Sequence, residues 1–113
     1  MTKKQPKSNR AQRSAHPYVI VRCTQAGVHA GILVSHDGPN VVLNDSRRLW
    51  AWRVPMGAPS FLSGVATHGL DHGASKVGTP LQGHRFTEAS EVIPCSVIAE
   101  RSIRSAPEIL RVS

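Results

Sequence analysis

Within ten residues, Leu43-Asn44-Asp45-Ser46-Arg47-Arg48-Leu49-Trp50-Ala51-Trp52, the chain places both of its tryptophans and its one Arg-Arg pair. An arginine beside a large π-surface is equipped to hold a phosphate next to a stacked base. Read as a strand following an Asn-Asp-Ser turn signal, the stretch alternates its side chains between two faces. Arg48, Trp50 and Trp52 then share one face, and Arg47, Leu49 and Ala51 the other. The ordinary alternative is that the tryptophans pack and the arginines point at water, since aromatics serve packing first.

The histidines invite a different chemistry, which the spacing tests. His68 and His72 are four apart, but Gly69 between them disfavours the helix that would aim both at one metal. A zinc site built from His68, Asp71, His72 and a distant cysteine has no HExxH or CxxC to support it. Two-histidine phosphoesterases need paired His-x-Ser/Thr motifs. Here the residues two after each histidine are Tyr18, Gly31, Gly38, Leu70, Ala74 and Phe86. No G-x-S-x-G, P-loop or Gly-x-Gly-x-x-Gly occurs. The expectation is a protein that is not an enzyme, with no cofactor and no metal.

Arginines are the remaining polar resource. Arg22 ends the first apolar run, Arg48 sits with the tryptophans, and Arg101 and Arg104 share a helical stripe with Val97. Singly, each has an ordinary role: Arg104 pairs with Glu100 four residues before it, and Arg101 is solvated. Jointly they suit a phosphorylated small molecule. Hydrogen bonds to charged groups contribute about 1.5–3 kcal/mol each, and a stacked base about 1–3 kcal/mol. Two stacks and three or four such bonds would reach roughly nanomolar affinity without catalysis.

The elements that must position these residues read as a single α+β domain. The chain has 113 residues and a net charge of +7. Residues 1–16 carry five Lys/Arg and no acid, and residues 17–113 carry nine basic and seven acidic residues. The high charge therefore belongs to a Lys/Gln/Ser/Pro-rich tail that reads as disordered, ahead of one ligand-binding domain over 17–113. A polybasic arm of this kind also suits a small nucleic-acid-binding protein, the alternative function. The tail lacks the apolar segment of a secretory signal, and no run reaches membrane-spanning length. Cys23 and Cys95 lack paired spacing and sit in apolar stretches, as free thiols of a reducing compartment do. The expected location is the cytoplasm, without a membrane partner.

Tyr18 to Thr24 is rich in β-branched residues and reads as a strand, broken at Gln25-Ala26-Gly27. Val28 to Val34 follows as a second strand, and Asp37-Gly38-Pro39-Asn40 turns it into Val41-Val42-Leu43. The Arg-Arg-Leu-Trp-Ala-Trp strand completes a small antiparallel meander, ended by Pro55 and Gly57. Ala58-Pro59-Ser60 opens a short central helix from Phe61 to about Thr67, closed by Gly69. Residues 69–83 read as a long loop. Arg85–Thr87 and Glu91–Pro94 are short strands. Ser96 caps a C-terminal helix from Val97 to about Ser105, stopped before Pro107.

Three segments in order carry a resemblance: Val21-Arg22-Cys23-Thr24-Gln25-Ala26-Gly27-Val28-His29-Ala30-Gly31, then Leu43 to Trp52, then Glu91-Val92-Ile93-Pro94-Cys95. Over residues 17–107 the sequence resembles the first family of phage-encoded Thoeris anti-defence sponge proteins. Those share V-R-x-x-x-A-G-V-x-x-G, A-R-R-x-W-x-W and E-I-x-P-C segments leading into a C-terminal helix. Ser46 departs from the usual Ala, and the Gly/His-rich stretch from Leu70 to Gly83 has no clear counterpart. The resemblance implies a sponge that binds glycocyclic ADP-ribose and holds it intact, acting in the infected bacterial cell to block Thoeris effectors. It also implies homodimers that associate into hexamers, with separate pockets for the cyclic di- and trinucleotides of CBASS defence. On that basis Arg48, Arg101 and Arg104 would be phosphate ligands of the dimer pocket, with His84 or Phe86 against the base. Arg22, Thr24, Ala26, Gly27 and Val28 would serve the second pocket. A nucleic-acid partner is not expected of a sponge, for which the tail is dispensable.

Overall fold

A computed structural model describes residues 16–55, 57 and 61–108. The basic tail, apart from His16, and the Ala58-Pro59-Ser60 helix opening lie outside them. Six strands form one sheet: β1 (Tyr18–Cys23), β2 (Gly27–Asp37), β3 (Asn40–Ala51), β4 (Lys76–Val77), β5 (His84–Phe86) and β6 (Ala89–Pro94). Two helices, α1 (Leu62–His68) and α2 (Val97–Ser105), and a 3₁₀ turn at His72–Ala74 are the other regular elements among the described residues. The order is β4-β3-β2-β1-β6, with β5 also on β3, and all these pairs are antiparallel. The architecture is α+β, as the sequence predicts. No described helix is long and apolar enough to cross a membrane.

β1 is buried on both faces, which is why it reads as a continuous apolar run. Tyr18 and Ile20 join Val28, Ala30, Leu49, Val65 and Ile103 in a core beneath the helices. Val19, Val21 and Cys23 join Val41, Leu43 and Phe86 in a second core on the opposite face. Full burial of each such aliphatic side chain contributes about 1.5–3 kcal/mol.

The second core exists because the sheet curls. β5 lies on β3 and β6 on β1, four strand spacings apart, roughly 19 Å in a flat sheet. The link from Phe86 to Ala89 is three Cα steps, roughly 11 Å at full extension. The edges therefore come together, held by Ala89 N–H donating to Pro39 O at 3.0 Å and Thr24 N–H to Glu88 O at 3.3 Å.

The sequence predicts a turn at Asn44-Asp45-Ser46, and here the structure differs. β3 runs unbroken from Asn40 to Ala51 and takes up these residues in a bulge. Asn44 pairs with Ile32 and Arg47 with Ala30, so Asp45 and Ser46 together oppose Gly31. Asp45 has φ 49°, the left-handed conformation that Asn and Asp tolerate best. Gly31 accommodates the extra residue: a Cβ there would lie 2.8 Å from Asn44 O and 3.1 Å from Ser46 Cα. The segment 81–83 staples the bulge, through Ser46 and Leu81 exchanging backbone bonds at 2.8 and 2.9 Å and Gly83 N–H donating to Asn44 Oδ1 at 2.8 Å.

The helices fall close to expectation. Phe61 is the N-cap of α1, and Gly69 ends it with φ 87°. Ser96 Oγ accepts from Ala99 N–H at 3.0 Å, capping α2. The expected loop over 69–83 is not structureless: it contains the 3₁₀ turn and β4, and β4 pairs with the end of β3.

Candidate functional site

The bulge decides which arginine faces where. Val41 and Leu43 point into the second core, and strict alternation would send Arg47 and Leu49 after them. The extra residue reverses the phase, so Ser46, Arg48 and Trp50 continue that face while Arg47 and Leu49 turn toward the helices. Arg47 is 3% exposed. Its Nε donates to Gly78 O at 2.8 Å, and Nη1 donates to Ile103 O at 2.9 Å and Ala106 O at 2.7 Å. It satisfies the last carbonyls of α2 and carries positive charge to the negative end of that helix.

Arg48 is the contrasting case. Its guanidinium carbon sits 4.5 Å from the centroid of the Trp50 ring, and Trp50 is 63% exposed. The guanidinium lies against Gly27, where φ is 88° and a Cβ would meet Nη2 at 2.7 Å. Only glycine meets both demands at that position. Among the described residues no carboxylate lies within ion-pairing distance of Arg48, and its buried Nε has no hydrogen-bond partner.

Directly opposite Arg48 in the β2–β3 register is His29, 5% exposed. Its Nε2 lies 2.8 Å from Ala26 O, and its ring meets His84 edge-on at 5.0 Å and Phe86 at 4.7 Å. His84 Nδ1 lies 3.0 Å from the buried Ser46 Oγ. Burial holds the His29 imidazole below its ordinary pKa, with the charges of His84 and Arg48 acting in the same direction against the Ala26 hydrogen bond. Burial also lowers His84. Both rings take up protons in the unfolded chain from near 6.5 downward but resist them when folded. The associated stability is complete above about pH 6.5 and is lost as pH falls through the lowered folded values. The melting temperature is therefore expected to drop between about pH 7.5 and about pH 5, with a shallower slope for His29→Gln.

The remaining candidates are distributed elsewhere. Arg22 is exposed and ion-paired with Glu91 at 2.9 Å, beside an apolar groove lined by Val28, Trp52, Phe61 and Ile93. Trp52 does not share a face with Trp50: the strand ends at Ala51, and Trp52 packs on the helix-side core. Thr24 and Ala26 lie in the β1–β2 turn that Gly27 closes. Arg104 pairs with Asp45 at 3.3 Å and with Glu100 at 3.8 Å. Arg101 is exposed on an open cleft of about 710 Å³ with His72 and Ile98. The structure thus sets Arg48 against Gly27 and opposite His29, whose ring in turn contacts His84 and Phe86. It places Arg101 and Arg104 on α2, across the sheet, so within one chain the three arginines expected of a shared pocket do not converge.

His29 is the member that sequence reasoning missed. It lies in a strand between Val28 and Ala30, and only the bulged register brings it opposite Arg48. His72 Nε2 is bonded to Ser102 O at 2.7 Å, Asp71 caps Gly73 N–H at 3.1 Å, and no metal-binding cluster occurs among the described residues. Cys23 and Cys95 are free thiols. Burial and Glu100 push Cys95 up to about 12, and burial and Glu88 raise Cys23, so both stay protonated and weakly nucleophilic.

No curated protein and no solved structure matches the chain at a significant level. A family model described as a domain of unknown function, DUF6948, matches residues 16–103. With most of its length covered by that match, the chain belongs to the DUF6948 family.

Proposed function

We propose that this protein is a non-catalytic binder that captures a phosphorylated, base-bearing signal intact, with Arg48 taking a phosphate and Trp50 stacking the base. The observation that carries this reading is the uncommitted, half-buried Arg48 guanidinium laid between Gly27 and an exposed tryptophan. Arg22 serves a carboxylate, Arg47 helix carbonyls and Arg104 two carboxylates, while Arg53, Arg85 and Arg101, which have no described side-chain bond, are exposed where Arg48 is half-buried. Together with the three-segment resemblance, this supports sequestration of cyclic-nucleotide immune signals as an anti-defence sponge.

Magnitudes bear on the assembly. One stack at about 1–3 kcal/mol and one charge-assisted contact at about 1.5–3 kcal/mol give roughly 2.5–6 kcal/mol. A micromolar complex requires about 8 kcal/mol and a nanomolar one about 12. One copy of this face is therefore too weak to sequester a scarce signal. Homo-oligomers whose copies contribute further groups to each pocket, as the resemblance implies, supply the difference.

The test is to mix the protein separately with glycocyclic ADP-ribose and with cyclic tri-adenylate, filter, heat the retentate and analyse both fractions by mass spectrometry. Depletion before heating and recovery of unchanged ligand afterwards is the expected result. A cleaved product would make the protein an enzyme, and no depletion of either ligand would overturn the proposal.

A further inference from the structure

We propose that residues 84–88, β5 and the start of its link to β6, form a strap that lifts off the second core when His29 and His84 become protonated, while the helix-side core stays folded. The strap is tied down lightly. β5 has three residues and pairs with β3 through Val41↔Phe86, Val42↔Arg85 and Leu43↔His84. Past it the curled sheet is closed by two backbone bonds, Ala89 N–H to Pro39 O at 3.0 Å and Thr24 N–H to Glu88 O at 3.3 Å. The two ends are anchored independently of the middle. Gly83, at φ 63° with open space where a Cβ would sit, is held to the bulge by Asn44 Oδ1, and β6 is paired along β1. A short element with so few bonds is the kind that opens by itself.

What keeps the strap down is side-chain packing, and part of that packing is imidazole. Phe86 is 4% exposed, among Val19, Val21, Val41 and Leu43. Its ring centroid lies 4.2 Å from that of His84 and 4.7 Å from that of His29, and the two imidazoles meet edge-on at 5.0 Å. Neutral, the three rings pack as aromatics do. Protonated, the imidazoles are two cations at that separation, and Arg48, the direct partner of His29 on β3, is a third.

Among the described residues no carboxylate offsets these charges. β1 places Val21 opposite His29, and the neighbouring Arg22 is paired with Glu91. β3 brings Ser46 and Arg48, Arg85 on β5 is exposed, and the Glu88 carboxylate acts on Cys23. Burial opposes a proton on either ring. His29 lies within the eleven-residue β2, bonded to both β1 and β3, so the element that yields is the one carrying His84. The core beneath the helices contains no histidine, and the same protons leave it in place. Uncovered, both rings return to a pKa near 6.5, so opening takes up as many as two protons below that pH.

Backbone hydrogen exchange of the full-length protein, followed by NMR at about pH 7 and about pH 5 with and without low urea, tests this. Protection of the two amides that close the seam, Ala89 and Thr24, is expected to fall by roughly 100-fold between those pH values, about tenfold for each ring that gains a proton. In His84→Gln the fall should shrink to about tenfold. Urea should hardly change exchange at the seam, because lifting a strap exposes little surface. It should speed exchange of Cys95, whose N–H bonds Tyr18 O at 3.0 Å on the helix side and is released only by wider unfolding. Seam amides that keep their protection at the lower pH, or that follow Cys95 in both pH and urea dependence, would overturn the inference. So would a fall undiminished in His84→Gln.

Discussion

Arg48→Ala is expected to lower affinity for the captured nucleotide by roughly 10- to 100-fold, the loss of about 1.5–3 kcal/mol of charge-assisted bonding, while the protein stays folded. Arg48 carries no ion pair within the described fold, so its removal leaves no buried carboxylate stranded. It also removes a buried Nε that has no partner. The melting temperature should move by less than about 5 °C, as for substitutions outside a bonded network. Arg48→Lys should recover part of the affinity, because a point charge replaces the fork without its paired donors. Equilibrium titration alongside thermal melts separates the two effects. Arg101→Ala is the informative comparison. It should leave binding unchanged if this face of a single copy holds the phosphate. It should weaken binding if copies combine the Arg48 face of one with the α2 face of another. Unchanged affinity in Arg48→Ala itself would end the case for this site.

The neighbouring arginine should behave in the opposite way. Arg47→Met keeps the length of the side chain but removes every donor, and the expected result is a loss of about 3–5 kcal/mol of stability. For a domain of this size that lowers the melting temperature by roughly 15–30 °C. Against a total stability of about 5–15 kcal/mol, the variant would be marginally folded. The cost is large because four carbonyls lose a partner together: Gly78, Ile103 and Ala106 within 2.9 Å, and Arg104 at 3.4 Å. These bonds tie β3 both to the C-terminus of α2 and to the chain after β4. Arg47→Lys should fall between, since one ammonium keeps the charge at the helix end but cannot span the same acceptors. A shift below about 5 °C for Arg47→Met would mean that water replaces the guanidinium at these carbonyls. On this proposal two arginines adjacent in sequence carry separable roles, Arg48 in binding and Arg47 in folding.

What the sequence by itself determined was local. The apolar run Tyr18–Cys23, the hairpin around Gly38, the Ser96 cap of α2 and the Gly69 stop of α1 were legible because propensity, turn chemistry and capping act over a few residues. The Arg-Arg-x-Trp cluster stood out for the same reason, and its phosphate-and-base role is the proposal made above. The tertiary structure decided which side chains meet. Asn44-Asp45-Ser46 carries turn chemistry, yet its pairing with Gly31 on β2 and with residues 81–83 absorbs it as a bulge. That insertion reverses the side-chain phase, because the strand period is two and one extra residue exchanges the faces. It sends Arg47 to the helix and Arg48 to His29, and the end of β3 at Ala51 then parts Trp52 from Trp50. Arg48 and Arg101 bear the same charge in the sequence. The sheet between them is what sets one beside a histidine and a tryptophan and the other across the molecule, since long-range register is a property of strand pairing and not of any short stretch of chain.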